Sequence, residues 1–318
     1  MKEFIISKND AGQRLDRFVG KAVPLLPASL TQKYIRLKRI KINGKGAKRD
    51  TKLVLGDVIQ MYVNDEFFEA PNEQNAYLKI SSPNLDIVYE DENIILLNKP
   101  VGVLCHSDGE WSYDTLIARL QAYLYGNGSW RPKEENSFTP ALCNRIDRNT
   151  SGIVIAAKNA EAMRIMNEKI RDREVEKRYL TVVVGTPKKL SGTITSNLFK
   201  DAVKNQVYIK KTAEPGTKTA ITEYKVLKSA KGLSLVECLL HTGRTHQIRV
   251  QLASIGTPLL GDGKYGNERV NVKYSEKGQL LCSYKLKFAF TTESGILDYL
   301  NGREFEVSKV DFVEKYFS

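Results

Sequence analysis

An α+β architecture follows from three features of the 318-residue sequence. Strand-like apolar runs, "NIILLNK", "GIVIAAK", "RYLTVVVG" and "YKLKFAF", alternate with helical stretches at irregular intervals, which disfavours the regular βα succession of a doubly wound sheet. A basic N-terminal segment precedes these runs. Between the two parts, "DEFFEAPNEQNAYLKISSPN" is acidic and polar, with two prolines and paired serines, the composition of a linker. The expected organisation is a small module over 1–64, a linker over 65–84 and a main domain over 85–318.

In the first module, "RLDRFVGKAV" sets Leu15, Phe18 and Val19 at helical spacing, and Pro24 ends that helix. "SLTQKYIRLKRI" predicts a second helix with Ser29 as N-cap and Leu30, Tyr34 and Leu37 as its apolar stripe. "IKINGKGAK" gives a short strand and an Asn43-Gly44 hairpin turn, and "LGDVIQMYV" a further strand. Of the main-domain runs, two are nearly all apolar, as for strands buried on both faces. "DTLIARLQAYLYG" predicts a helix capped by Asp114, and "NAEAMRIMNEKIR" one with Met163, Met166 and Ile170 inward. "THQIRVQLASIG" predicts a third, capped by Thr245, with Ile248, Leu252 and Ile255 inward and Gly256 at its end.

Composition narrows the function. The chain is 42% hydrophobic and 27% charged, ordinary for a globular protein. It has no run of about 18 apolar residues, so no membrane span is expected. The charged start "MKEFIISKND" does not read as a secretory signal, and the expected location is the cytoplasm. Cys105, Cys143, Cys238 and Cys282 form no C-x-x-C pair, which argues against a zinc site or a thioredoxin-like motif and for reduced thiols. A net charge of +12 points to a polyanionic partner. Residues 1–64 hold nine Lys and five Arg against five acidic residues, a net of +9, and so carry most of that excess.

Four stretches are candidates for chemistry. In "CNRIDRNTSG", Asp147 stands between Arg145 and Arg148, whose charges favour an ionised carboxylate. The residues after it are also ordinary turn formers, so an ion pair, a turn and a nucleophile all fit the stretch taken alone. "HTGRTHQIR" gathers His241, Arg244, His246 and Arg249 without a carboxylate, which suits phosphate contact at a helix start, or a solvated capped helix, better than a metal. In "NKPVGVLCHSD" a strand end turns sharply, and His106 there reads as a hydrogen-bonded loop residue. Tyr179 in "EKRYLTVVVG" reads as a packed strand aromatic.

Taken together and in this order, "NKPVGVLCH", "NRIDRNTSGIVIAAK", "EKRYLTVVVG" and "HTGRTHQIRVQLASIGTPLLGDGKYG" resemble the RluA-type pseudouridine synthases over residues 94–290. The helix-helix-hairpin pattern of residues 13–63, with "RLD", "INGK" and "GDVI", resembles the S4-type RNA-binding module. That combination resembles the bacterial enzymes that modify large-subunit ribosomal RNA. The resemblance implies a mixed, largely antiparallel sheet flanked by helices. It also implies isomerisation of uridine to pseudouridine on a flipped base, with no metal, organic cofactor or obligatory protein partner. Carried over, it makes Asp147 the catalytic carboxylate, Tyr179 the tyrosine against the base and Arg249 the basic partner of the aspartate. Arg145 matches the arginine that enters the RNA stack. Lys33, Arg36, Lys38, Arg39, Lys45 and Lys48 fall where an S4-like module meets RNA, and Arg244 and His246 join them as candidate RNA contacts. Two positions depart from the family pattern: Asn144 and Gln251 stand where histidine is usual. A tRNA substrate and a non-catalytic RNA-binding platform are the competing readings.

Overall fold

The computed structural model describes residues 1–68, 76–108 and 113–318; residues 69–75, within the expected linker, and 109–112 lie outside the described residues. Chain contacts divide the protein into two compact units. One comprises Met1–Asn84, Ile117–Ala141 and Ala157–Arg164, the other Leu85–Leu116, Leu142–Ala156 and Ile165–Ser318.

The first unit begins with strand β1 (Lys2–Ile5), helices α1 (Leu15–Ala22) and α2 (Ala28–Arg36), and strands β2 (Ile40–Ile42), β3 (Lys45–Gly46) and β4 (Val58–Met61). The strands form an antiparallel sheet in the order β1-β4-β2-β3. Leu15, Phe18 and Val19 of α1 are fully buried in its core beside Ile40, Ile59 and Met61. Asn43 and Gly44 have φ of 51° and 76°, the left-handed pair that a two-residue type I′ hairpin requires. Helix α2 differs from expectation. Its N-cap is Pro27 rather than Ser29, since the fixed proline φ already suits a helix start, and Thr31 and Ile35 face inward while Leu37 is exposed. The later segments of this unit are joined to its N-terminus by polar contacts. The buried Asp10 carboxylate accepts from the Ser7 N–H and hydroxyl, Asn136 Nδ2 and Ser137 Oγ.

The remaining elements are β5 (Ile87–Glu90), β6 (Ile94–Lys99), α3 (Leu116–Gly126), β7 (Ala141–Leu142), β8 (Ser151–Ala157), α4 (Ala160–Arg171) and β9 (Val175–Val184). They continue through β10 (Ser191–Asp201), β11 (Gln206–Lys210), β12 (Thr217–Ala230), β13 (Leu233–Leu240) and α5 (Gln247–Ser254). Last come α6 (Glu268–Tyr274), β14 (Leu281–Phe288), β15 (Glu304–Glu306) and α7 (Asp311–Phe317). One 11-stranded sheet runs β11-β10-β12-β13-β9-β14-β8-β6-β5, with β15 on β14 and β7 on β8. Pairing from β11 across to β14 is antiparallel, whereas β14 and β8 run parallel. This is the mixed, largely antiparallel α+β arrangement. The apolar runs of β6 and β8 are buried residue after residue, as strands covered on both faces must be. Among the described residues no helix is long and apolar enough to cross a membrane.

Candidate active site

The turn that carries Asp147 is fixed from several sides. Asn144 Oδ1 accepts the Ile155 N–H at 2.8 Å, tying the start of the turn to β8. The Asp147 carbonyl accepts the Thr150 N–H at 3.1 Å. Gly152 has φ of 105°, and a Cβ there would lie 2.2 Å from the Ser283 carbonyl oxygen, so only glycine admits this approach of β14. From β6, the fully buried Lys99 ammonium donates to the carbonyls of Pro100, Val103 and Arg148 at 2.9, 2.8 and 3.0 Å. Those contacts use its three protons and stitch the loop after β6 to the Asp147 turn. Burial pushes the Lys99 ammonium down to about 8, with Cys105 and Asp147 acting in the opposite direction.

The charge partner of Asp147 is not either of its sequence neighbours. Arg148 Nε donates to the Gly102 carbonyl, and Arg145 is exposed, held by no hydrogen bond or ion pair among the described residues. Instead Arg249 of α5 donates from Nη1 to Asp147 Oδ2 at 3.0 Å. The same guanidinium grips Asp262 with Nε and Nη2 at 2.7 and 2.8 Å, a two-pronged contact that fixes its plane. Asp262 has a side chain with no exposed surface and also accepts the N–H groups of Lys264 and Tyr265. Burial alone would raise the Asp262 carboxyl, but the hydrogen bonds and charge of Arg249 hold it below its ordinary range. Arg249 itself is held above its ordinary value by the two carboxylates despite burial.

Asp147 is left asymmetric. Its side chain is 29% exposed, and Oδ2 takes the arginine while also facing His246 Nε2 at 3.9 Å. Oδ1 accepts no hydrogen bond among the described residues.

Helix α5 presents Arg249 from a firm base. Gln247 Oε1 accepts from the Thr242 hydroxyl and the Arg244 N–H, while its amide donates to the Ile221 carbonyl and the Thr222 hydroxyl. Gln251, fully buried, donates to the Ile194 and Ala220 carbonyls and to Ser196, and accepts from Thr222. Both departures from the family pattern therefore serve the backbone: Asn144 pins a turn and Gln251 roots a helix. The N-cap of α5 is His246, in the left-handed region at φ 53°, rather than Thr245. The Gln247 side chain ties down the segment ahead of the helix, accepting the Arg244 N–H and the Thr242 hydroxyl.

Tyr179 of β9 is 7% exposed and packs beside Cys238 and Ile248. Burial pushes its phenol up to about 12, Asp147 adding to the shift and the Ser283 hydroxyl opposing it, so the phenol keeps its proton at neutral pH. The cations expected to meet RNA are exposed: Lys33, Arg36, Lys38, Arg39, Lys45 and Lys48 in the first unit, Arg145 and Arg244 in the second. Arg244 also donates from Nε to the Thr219 carbonyl. His246 is turned toward Asp147, its Nδ1 2.9 Å from the Tyr265 hydroxyl. No group of three or more His, Cys, Asp or Glu suited to a metal occurs among the described residues.

Asp262, Tyr265 and Lys99 carry no sequence signal that marks them as part of the site. Asp262 lies 13 residues beyond Arg249, and no periodicity marks it. Only the return of the chain after α5 brings it back.

The family model described as RNA pseudouridylate synthase matches residues 93–254, the span containing Asp147, Tyr179 and Arg249. An RNA pseudouridine synthase of Mycoplasma genitalium is 34% identical over 293 residues, covering 90% of this chain and 88% of its own. A protein of Rickettsia bellii described as ribosomal large subunit pseudouridine synthase C is 32% identical over 268 residues, covering 81% of this chain and 84% of its own. Among solved structures, human RNA pseudouridylate synthase domain containing 4 shares the fold, with a TM-score of 0.57 at 21% identity over 75% of this chain and 94% of that one. A match over half the chain and relatives that align along most of their length put the protein in the RluA-type RNA pseudouridine synthase family, isomerases that act on uridine in RNA.

Proposed function

We propose that this enzyme isomerises uridines of large-subunit ribosomal RNA in the cytoplasm, with Asp147 as the reactive carboxylate. The observation that carries the catalytic reading is the asymmetry of Asp147: Arg249 holds Oδ2, and Oδ1 is left to face the sugar. Breaking the N1–C1′ bond develops positive charge at C1′. An ionised, oriented carboxylate meets it either by attacking C1′ or by supporting elimination through a glycal. The freed base then turns and rejoins through C5, whose hydrogen must leave. Neither route needs a redox partner or an energy source.

The other residues take roles around that step. Arg249, fixed by Asp262, holds and aims Asp147. The protonated Tyr179 phenol stacks on the base and serves proton transfer. Reaching the sugar requires the uridine to leave its stack, at a cost of about a few kcal/mol. Arg145, exposed two residues before Asp147, enters the vacated position. Arg244 and the basic cluster Lys33 to Lys48 contact phosphates, as an S4-like module over residues 1–64 would, and give affinity without reading bases.

Large-subunit RNA is favoured over tRNA because relatives aligned over most of this chain carry that description, including those of Rickettsia bellii and Salmonella typhimurium. The test is isomerisation of deproteinised large-subunit RNA against bulk tRNA at matched uridine concentration. Faster reaction of the ribosomal RNA is the expected result. Faster reaction of tRNA would move the substrate to tRNA, and tight binding without reaction on either would favour a binding platform.

A further inference from the structure

We infer that His246 and Tyr265 are positioning residues for the isomerisation: the Tyr265 hydroxyl fixes His246 as the tautomer that presents Nε2–H to Asp147 Oδ2, leaving Oδ1 as the one reactive oxygen. The inference rests on Asp147 being the reactive carboxylate and adds the residues that decide which of its oxygens works.

The geometry forms a chain. The Val207 N–H, on strand β11, donates to the Tyr265 hydroxyl oxygen at 2.8 Å. The hydroxyl has one proton to give, and His246 Nδ1 lies 2.9 Å away. A proton donated there leaves the imidazole hydrogen on Nε2, the nitrogen that faces Asp147 Oδ2 at 3.9 Å. The opposite tautomer would aim a lone pair at a carboxylate oxygen and repel it. The two rings meet edge to face, with centroids 5.6 Å apart, and the Arg249 guanidinium lies 5.3 Å from the Tyr265 ring centre. Tyr265 thus braces both groups that address Oδ2.

His246 is also placed at a cost. It occupies the left-handed region at the start of α5, where a non-glycine residue is uncommon, and its side chain is only 9% exposed. That conformation turns the imidazole toward the turn of Asp147. The ionisable groups around the ring are Asp147, Arg249, Lys264, Asp262 and Tyr265. Burial pushes the imidazole down to about 4, so at neutral pH it adds no second full cation to Asp147. A distance of 3.9 Å is longer than a hydrogen bond, and catalytic contacts of this kind tighten when substrate closes the site.

Two amides dissect the ring. Glutamine can place its N–H near the position of Nε2, whereas asparagine reaches only as far as Nδ1 and tolerates the left-handed backbone. His246→Asn, His246→Gln, Tyr265→Phe and the double variant His246→Asn with Tyr265→Phe would be compared by single-turnover kinetics on the same RNA. The expected result for His246→Asn is a fall of about 10- to 100-fold in the single-turnover rate, the scale of a misaligned reactive group. RNA affinity and its salt dependence should stay unchanged. His246→Gln should recover most of the rate, and the double variant should be no worse than His246→Asn alone. In Tyr265→Phe the ring loses the donor that selects its tautomer, so the rate should fall toward that of His246→Asn.

Equal losses in His246→Asn and His246→Gln would overturn the tautomer assignment. Unchanged rates in every variant would overturn the positioning role. Weaker binding with a shallower salt dependence would instead make His246 an RNA contact. Asp147→Asn runs alongside: activity surviving that substitution would sink the underlying reading, whereas its loss with active His246 variants would sink only this one. Thermal midpoints of all variants separate misfolding from misalignment.

Discussion

Replacing Asp262 by Asn removes the anchor of Arg249 while leaving Asp147 and the exposed basic residues untouched. Asp262 accepts two charge-assisted hydrogen bonds from Arg249 and two from backbone N–H groups, and its side chain has no exposed surface. An asparagine keeps one acceptor oxygen, turns an NH₂ toward a guanidinium donor and leaves the arginine charge inside with Asp147 as its remaining partner. Breaking one side of a buried pair costs about 3–5 kcal/mol. The one hydrogen bond lost from Arg249, at about 1.5–3 kcal/mol, together with an NH₂ now set against a guanidinium donor, gives the same scale. For a unit of this size about 1 kcal/mol moves the midpoint by about 2–4 °C, so the expected fall in Tm is about 6–20 °C. Below the new midpoint, the isomerisation rate should drop by about 10- to 100-fold, because the guanidinium that aims Asp147 is no longer held in plane. Differential scanning fluorimetry and single-turnover isomerisation on one preparation read both quantities. A variant with wild-type Tm and wild-type rate would refute the view that Asp147 is positioned through Arg249 by Asp262.

Three more outcomes follow from the structure. The buried Lys169–Glu174 pair, 2.7 Å apart, holds the Glu174 carboxyl down to about 2, chiefly through Lys169 and then the Thr291 hydroxyl. Its contribution to stability is therefore full above the ordinary carboxyl value of 4.5 and is lost as pH falls from there through about 2; Glu174→Gln should flatten acid unfolding in that window, read by circular dichroism against pH. Gly152→Ala combines a φ of 105° with a 2.2 Å clash against the Ser283 carbonyl, so it should lower stability by more than about 2 kcal/mol in a denaturant titration. Exchanging Lys33, Arg36, Lys38 and Arg39 for Ala should weaken RNA binding and reduce the slope of log affinity against log salt by about 0.7–0.9 per lost phosphate contact. Charge removal is the cleaner perturbation here, since deleting residues 1–64 would also take Asp10 from Asn136 and Ser137.

Local signals in the sequence were reliable where one short-range rule dominates. Helix α1, the Asn43-Gly44 hairpin and the apolar strands β6 and β8 are of this kind: spacing, turn chemistry and continuous apolarity each dictate them. The start of α2 was displaced because two helix-start signals compete within three residues, and Pro27 prevails over Ser29. Thr245 does not cap α5: the chain enters the helix through His246 in the left-handed region, and Gln247 ties down the residues before it. Strands β10 to β13, which build the outer half of the sheet, were not singled out. Strands β10 and β12 alternate threonine, serine and lysine with few large apolar residues, a weak period-two signal.

The candidate site divides in the same way. Asp147, Tyr179 and Arg249 were legible through motif resemblance, and the structure brings Asp147 and Arg249 within 3.0 Å across 102 positions of sequence. The arginines beside Asp147 suggested its charge partners, yet the backbone turn directs Arg148 to the Gly102 carbonyl and leaves Arg145 exposed. Asp262 and Tyr265 follow a tight turn after Pro258 and carry no pattern of their own. Their part depends on a return of the chain that no local rule encodes.

Whether Asp147 carries the isomerisation is read from release of tritium from RNA labelled at C5 of uridine, since the C5 hydrogen must leave when the base rejoins through that carbon. Asp147→Asn keeps the size and one acceptor oxygen of the side chain while removing its charge. Steady release is expected with the wild-type enzyme and none above background with Asp147→Asn, RNA affinity and Tm staying close to wild type. Release by Asp147→Asn at a rate near that of the wild type would contradict Asp147 as the reactive carboxylate.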